Sequence, residues 1–363
     1  MVDNKHNIEV DWLKGRRPFQ FFGPCSAESV DQLRITAKGI SEHFQDVIFR
    51  AGIWKPRTRP NTFEGVGKDG LKWLIDIKEE FGFQVATEVA SAAHVDACLN
   101  AGIDVLWIGA RTTVNPFSVQ AIADALKGVD IPVFVKNPIN PDVSLWSGAV
   151  ERIEKAGVSK IGAIHRGFHL SDNRPYRNAP AWELAVQFRT EHIDIPLICD
   201  VSHISGVPEL IPHVAQRAFD LDMDGLMVET HYKPKEALSD AKQQLTPLQL
   251  HELINNLVFK SADSKNAEFK NQLDFLREKI DRIDDQVVEL MATRMNISEE
   301  IGSYKKENQV TVLQIQRWQE ILQRSLKSGE ALNLSPKFIT SLYNAIHDES
   351  IRKQTIILER DGK

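Results

Sequence analysis

The chain has 363 residues, 42% of them apolar and 26% charged, with a formal net charge of -6, so it can bury a large core but offers no basic face for nucleic acid. The first twenty residues hold no apolar stretch of signal-peptide length and no later run approaches the roughly 18 apolar residues of a membrane span, which excludes membrane partners and makes a cytoplasmic protein the expectation. Cys25, Cys98 and Cys199 form neither a CxxC pair nor a disulfide framework, as fits a reducing compartment.

Eight short apolar runs follow in chain order: 19–25 (FQFFGPC), 47–53 (VIFRAGI), 84–89 (QVATEV), 105–111 (VLWIGAR), 132–137 (PVFVKN), 161–167 (IGAIHRG), 196–203 (PLICDVSH) and 225–231 (GLMVETH). Each reads as a buried parallel strand, and most intervals hold an amphipathic stretch long enough for a crossover helix. Eight such units predict an α/β fold, a TIM (β/α)8 barrel over residues 1–260, whose chemistry gathers where the strands end. Those ends offer Cys25, Arg50, Glu88, Arg111, Lys136, Arg166, His203 and Glu229. Residues 261–268 (SADSKNAE) are polar and read as a linker.

From 269 to 363 the pattern is purely helical. Leu273, Leu276, Ile280, Ile283, Val287, Leu290, Arg294, Ile297, Ile301 and Tyr304 alternate three- and four-residue spacing, which predicts a helix of roughly 50 Å. A domain this small cannot cover such a stripe alone, so the helices are expected to pair with a second copy, making an all-α three-helix domain and at least a homodimer. Two further helices are expected at about 313–327 and 336–358, the last capped by Ser335 with Pro336 in its first turn.

At the barrel mouth, Cys25, His203, Glu229 and Asp240 come from strands 1, 7 and 8, which become neighbours when a barrel closes. Mixed S, N and O donors suit one divalent transition ion with a position open for substrate. Singly each has a bland reading, Cys25 as a small buried hydrophobe and His203 as a loop cap; the combination carries the argument. Cys98, on an expected helix, and Cys199, inside strand 7, are assigned to packing. Arg111, Lys136 and Arg166 follow buried residues at successive strand ends, where cations repel one another unless anions arrive; Arg50, Lys55, Arg57 and Arg59 add more. So many cations predict two or more anionic groups, and a Lewis-acid metal beside them polarises a carbonyl oxygen. The implied chemistry is metal-assisted carbon–carbon bond formation between phosphorylated small molecules.

Two other readings weigh less. Gly65, Gly67 and Gly70 fit GxGxxG, but the motif stands some twelve residues beyond strand 2 instead of at a strand end, as a dinucleotide site requires. Schiff-base aldol chemistry through Lys136 would leave the four metal-type side chains unused.

The stretches GPCSAES, KPRTRP, ATEV, IGAR, CDVSH and ETHYKPKEALSDAKQQL resemble the type I beta class of 3-deoxy-D-arabino-heptulosonate 7-phosphate (DAHP) synthases over nearly all of residues 15–258. The KPRT element separates this class from the octulosonate 8-phosphate synthases, which carry a KANRS-type element. The resemblance implies condensation of phosphoenolpyruvate with erythrose 4-phosphate at the start of aromatic amino acid synthesis. It places Cys25, His203, Glu229 and Asp240 on the metal, manganese first, with cobalt, iron or zinc as alternatives. Arg111, Lys136, Arg166, Lys55 and Arg50 would hold phosphoenolpyruvate, and Arg57 and Thr58 erythrose phosphate.

In the long helix Arg294 interrupts an apolar seam, where a cation is costly unless paired, and Lys305, three turns on, shares its face. Ile339, Tyr343 and Ile346 of the last helix continue a stripe into Ser350 and Gln354. A snorkelling arginine explains Arg294 alone; polar interruptions on two helices argue for an enclosed anion pocket. LDFLREKIDRIDDQVVELMATR, EIGSYK and DESIRKQ resemble the all-helical AroQ-type chorismate mutases across roughly 267–358. That resemblance implies rearrangement of chorismate to prephenate, with Arg277 (from the partner subunit), Arg294, Lys305, Arg317, Ser350 and Gln354 as its site. Gln314 replaces a common aspartate and Trp318 a substrate-contacting glutamate, so a non-catalytic sensor and dimerisation module is the alternative for this domain. The chain begins almost at strand 1, and prephenate or chorismate bound among the helices is therefore the expected feedback inhibitor of the barrel.

Overall fold

The computed structural model describes residues 18–55, 63–260 and 266–359. The chain divides into two compact units, Met1–Ala262 and Asp263–Lys363.

In the first unit β1 (Phe19–Gly23), β2 (Ile48–Arg50), β3 (Gln84–Val89), β4 (Val105–Ile108), β5 (Val133–Lys136), β6 (Ile161–His165), β7 (Leu197–Asp200) and β8 (Gly225–Glu229) form a closed barrel in sequence order. All pairings are parallel, including the closing pair that sets Phe19 opposite Gly225 and Gly23 opposite Glu229. The helices between and after them are α1 (Val30–Ser41), α2 (Asp69–Phe81), α3 (Ala92–Ala101), α4 (Ala110–Thr113), α5 (Pro116–Ala125), α6 (Val143–Lys155), α7 (Trp182–Glu191), α8 (Val201–Ser205), α9 (Ile211–Asp220) and α10 (Pro247–Asn255). Local chemistry starts several of them: Ser29, Ser91, Asn115, Asp142 and Thr246 each accept a first-turn N–H, satisfying donors the helix leaves open.

Period-two alternation gives the strands two buried faces. Outward residues such as Val85, Leu106 and Val135 pack under the helices, while Phe19, Phe21, Ile48, Trp107, Phe134, Ile198 and Met227 fill the barrel interior. The Phe21 and Phe134 rings meet edge to face at 4.9 Å, and Gly162 leaves the space that the Phe134 ring takes. Continuing the inward series one step carries five of the strands from core to mouth: Ile48 to Arg50, Ala86 to Glu88, Phe134 to Lys136, Ile198 to Asp200 and Met227 to Glu229.

Two expected strand-end residues lie elsewhere. β4 stops at Ile108 and Arg111 sits on α4; β7 stops at Asp200 and His203 sits on α8. In the second case Asp200 turns the chain, accepting the backbone N–H of His203 and so capping the helix that follows. Cys98 and Cys199 are buried, on α3 and β7.

The second unit comprises α11 (Ala267–Glu307), α12 (Ile315–Ala331) and α13 (Pro336–Glu359). At 41 residues, α11 is about 60 Å long. It starts inside the expected linker because Asn266 caps it by accepting from Phe269 N–H. Ser335 accepts from Phe338 N–H at the head of α13. Gly302 admits α13 closely, since a Cβ there would stand 3.1 Å from Gln354 Cα. No helix among the described residues is long and apolar enough to cross a membrane.

Candidate active sites

Three of the four expected metal donors converge. Ligand atoms of Cys25, Glu229 and Asp240 all lie within 4.8 Å of one another. His203 stands beside them, its Nε2 3.7 Å from Asp240 and its Nδ1 3.8 Å from Glu229. Buried Asp200 orients the imidazole, 2.9 Å from Nδ1. Glu229 Oε1 is buried with no hydrogen bond, and its nearby charge is the Arg50 guanidinium at 3.3 Å, so it keeps lone-pair capacity that a metal ion would fill.

The electrostatics are those of two carboxylates and a thiol among cations. Burial pushes the Asp240 carboxyl up, but the charges of His203, Arg177 and Lys55 outweigh it and hold it below the ordinary carboxylate range. Glu229 is likewise raised by burial and pulled below its usual value by His203 and Arg50. Burial drives the Cys25 thiol up to about 12, with the Glu229 charge adding to it. Its Sγ lies 3.4 Å from Asp240 Oδ2 and takes a hydrogen bond from Lys55 Nζ at 3.1 Å. Without a bound cation Cys25 is therefore a thiol, and a metal would have to displace its proton.

Beside this cluster is a polar cavity of about 260 Å³, lined in part by Lys55, Arg111, Lys136, Arg166 and Arg177. Lys136 Nζ pairs with Asp200 at 2.7 Å, and Arg50 lies 3.3 Å from Glu229. Both cations also face the Trp107 ring, at 5.7 and 5.1 Å from its centroid. Arg166 donates to Asn178 Oδ1 at 2.9 Å. Burial, with Arg177 and Arg111 nearby, brings its guanidinium down to about 10 despite Asp200. Cations crowded in this way favour a bound anion. Arg57, Thr58 and Arg59 lie outside the described residues.

Sequence reasoning overlooked Asp200, Arg177, Asn178 and Gln243. Asp200 could be found from strand parity, two residues beyond inward Ile198. Arg177, 3.1 Å from Asp240, comes from an irregular loop with no periodicity to mark it. Gln243 donates to Glu229 Oε2 at 2.5 Å.

Residues 4–265 match the family model described as the DAHP synthetase I family. The chain belongs to that family. Residues 276–355 match the model for chorismate mutase type II, so the synthase domain is fused to a mutase domain. The synthase domain is similar to the phospho-2-dehydro-3-deoxyheptonate aldolase of Thermotoga maritima, 29% identical over 235 residues, which span 65% of this chain and 67% of the relative. It is also similar to the 2-dehydro-3-deoxyphosphooctonate aldolase of Helicobacter pylori, 30% identical over 68% of this chain and 96% of the relative. Among solved structures, the Thermotoga maritima DAHP synthase aligns at a TM-score of 0.58 and 28% identity, covering 65% of this chain and 67% of that one. A truncated form of the enzyme aligns at 0.56 and 25% identity, covering 71% and 87%. Two enzyme families of the shikimate pathway, a transferase and an isomerase, thus share one polypeptide.

In the mutase domain a cavity of about 650 Å³ is lined by Arg294, Lys305, Arg317, Ser350 and Gln354, five of the six residues expected there. Arg294 donates to Ser350 Oγ at 2.6 Å and Lys305 to Val312 O at 2.6 Å. Burial lowers the Lys305 ammonium. Gln354 Oε1 is buried without a partner. Arg317 pairs with Glu320 at 2.9 Å. Arg277 is not in this cavity; it is exposed, beside Asp274 at 3.4 Å, about 25 Å along the helix from Arg294. Trp318 stacks on His347, ring centroids 4.1 Å apart, so an aromatic pair forms part of the wall. Gln314 is the N-cap of α12 but makes no capping bond, whereas a shorter aspartate is the better cap.

Proposed function

We propose that the chain performs both reactions: condensation of phosphoenolpyruvate with erythrose 4-phosphate to DAHP at the barrel mouth, and rearrangement of chorismate to prephenate in the helical pocket. The convergence of Cys25, Glu229 and Asp240 next to a cation-lined cavity carries the first reading. Those three, with His203, would hold one divalent ion, manganese before cobalt, iron or zinc. Such an ion supplies Lewis acidity toward a carbonyl oxygen.

The chain's own groups do the rest. Arg111, Lys136 and Arg166 bind the phosphate and carboxylate of phosphoenolpyruvate, with Arg50 and Lys55 beside them, fixing the enol carbon toward the aldehyde. Arg57 and Thr58 bind erythrose phosphate. Lys136 Nζ is tied to the buried Asp200 carboxylate at 2.7 Å, an engagement that argues against its use as a Schiff-base nucleophile. Chelation is expected to abolish phosphate release from the two substrates, and Mn2+ to restore it; full turnover by rigorously demetallated protein would overturn the metal role.

In the helical pocket the reaction is unimolecular, so orientation plus stabilisation of charge on the breaking ether oxygen is sufficient. Arg277 of a second copy and Arg317 would clamp carboxylates, Arg294 and Ser350 would position the ligand, and Lys305 and Gln354 would face the ether oxygen. The Trp318–His347 wall favours a second reading, a sensor that binds chorismate or prephenate without turnover. Chorismate loss, followed directly with the purified protein, decides between them: we expect measurable turnover, and none would leave the sensor. In either case prephenate in this pocket is proposed to inhibit the condensation.

A further inference from the structure

Asp240 has a backbone φ of +48°, in the left-handed region that, apart from glycine, aspartate and asparagine tolerate best. It lies in the long segment between β8 and α10. The segment's two ends are pinned to the barrel by Thr230 N–H to Gly23 O and Leu245 N–H to Glu229 O. Nearer Asp240, the ties run to the loop that carries Cys25. Leu238 N–H donates to Glu28 Oε1 at 2.9 Å, the Ser239 and Ser26 hydroxyls touch, and Cys25 N–H donates to Gln244 Oε1 at 3.1 Å.

Glu28 and His231 occupy the seam between these two loops, and neither belongs to the donor cluster. The Glu28 side chain is 8% exposed and that of His231 2%. His231 Nδ1 accepts Lys233 N–H at 2.9 Å, so in the neutral ring the proton is on Nε2. Nε2 is buried, has no hydrogen-bond partner, and lies 3.8 Å from Glu28 Oε2. One carboxylate thus holds the Asp240 loop through Leu238 with one oxygen and faces a buried imidazole from the same loop with the other.

We propose that Glu28 and His231 are positioning residues that hold the Cys25 and Asp240 loops in register and so set the gap between the donors of a divalent metal ion. This rests on the metal reading above. Groups hydrogen-bonded directly to metal ligands typically contribute 10–100-fold in affinity; Glu28 and His231 act through the loop backbone, at the lower end of that range.

The test is Mn2+ affinity of the full chain, measured by competition with a metal-sensitive dye, with urea unfolding of the metal-free protein alongside. Glu28→Ala is expected to weaken Mn2+ binding at least about tenfold. Glu28→Gln keeps an acceptor for Leu238 N–H and is expected to recover most of that loss. His231→Phe, which retains the ring stack on Tyr232 but neither nitrogen, should weaken binding as Glu28→Ala does, and it carries the test if Glu28→Ala does not fold. A purely structural role would shift the urea midpoint and leave affinity unchanged, and that result overturns the proposal. Asp240→Asn separates the two levels. Binding lost in Asp240→Asn but intact in Glu28→Ala and His231→Phe overturns positioning alone, whereas no saturable Mn2+ binding by the wild-type protein overturns the metal reading with it.

Discussion

His165 shows what one side chain's place in a strand does to its chemistry. It ends β6, next to Arg166, yet faces outward among Trp146, Phe168 and Trp182, fully buried, with the Pro180 backbone as its polar neighbour. Burial lowers its pKa to about 3. Because the folded value lies below the unfolded one near 6.5, the unfolded chain takes up the proton first as pH falls. The contribution of His165 to stability is complete above pH 6.5 and is lost progressively between about 6.5 and 3, at up to about 1.4 kcal/mol per pH unit. His165→Phe, apolar in an apolar pocket, is expected to remove one proton from that acid slope; urea midpoints from pH 4 to 7 that fall equally in both proteins would contradict it. The neighbouring Arg166 has the opposite fate, turned into the mouth where an anion would meet it. One step in strand parity separates a packing histidine from a binding arginine.

Among the elements, α11 carries an unusual imbalance. Ile280, Ile283, Val287 and Leu290 are each roughly half exposed or more, although their spacing is that of a buried stripe. The single chain also leaves Arg277 far from the cavity that Arg294 and Lys305 line. Both facts fit a second copy laid along α11, covering the stripe and delivering its Arg277 to the pocket. Arg277→Ala and Lys305→Ala should each abolish chorismate turnover alone. If subunits exchange, an equal mixture should recover about a quarter of wild-type turnover, because half the dimers then carry one intact site. No recovery after verified exchange would place Arg277 outside the site. Strand legibility differed from this. β5 and β8 could be read from composition because parallel strands buried on both faces are nearly continuously apolar, whereas β4 and β7 stop short of Arg111 and His203, where Gly109 and Asp200 start short helices.

For the whole molecule, the feedback proposed above would be a coupling free energy between two ligand sites. Prephenate at saturating occupancy is expected to lower the condensation rate of the intact chain, and Arg294→Ala to relieve that inhibition while leaving the uninhibited rate unchanged; an unaltered rate with the pocket filled would remove the proposed feedback. The sequence by itself determined the eight-unit repeat, the change to pure helix after residue 260, the cation-rich strand ends and the helical seam broken by Arg294, Ser350 and Gln354. Each is a short-range periodic signal, written by which face of a strand or helix must leave water. Only the tertiary structure decided which of these groups meet. Cys25 Sγ and Asp240 Oδ2 are 215 positions apart in the chain and 3.4 Å apart in space, and Arg177, Asp200 and Glu28 acquire their partners the same way. Barrel closure makes the first strand a neighbour of the last, and the loops that then touch follow no period, so their contacts are fixed by packing and hydrogen bonding across the mouth and not by any local pattern.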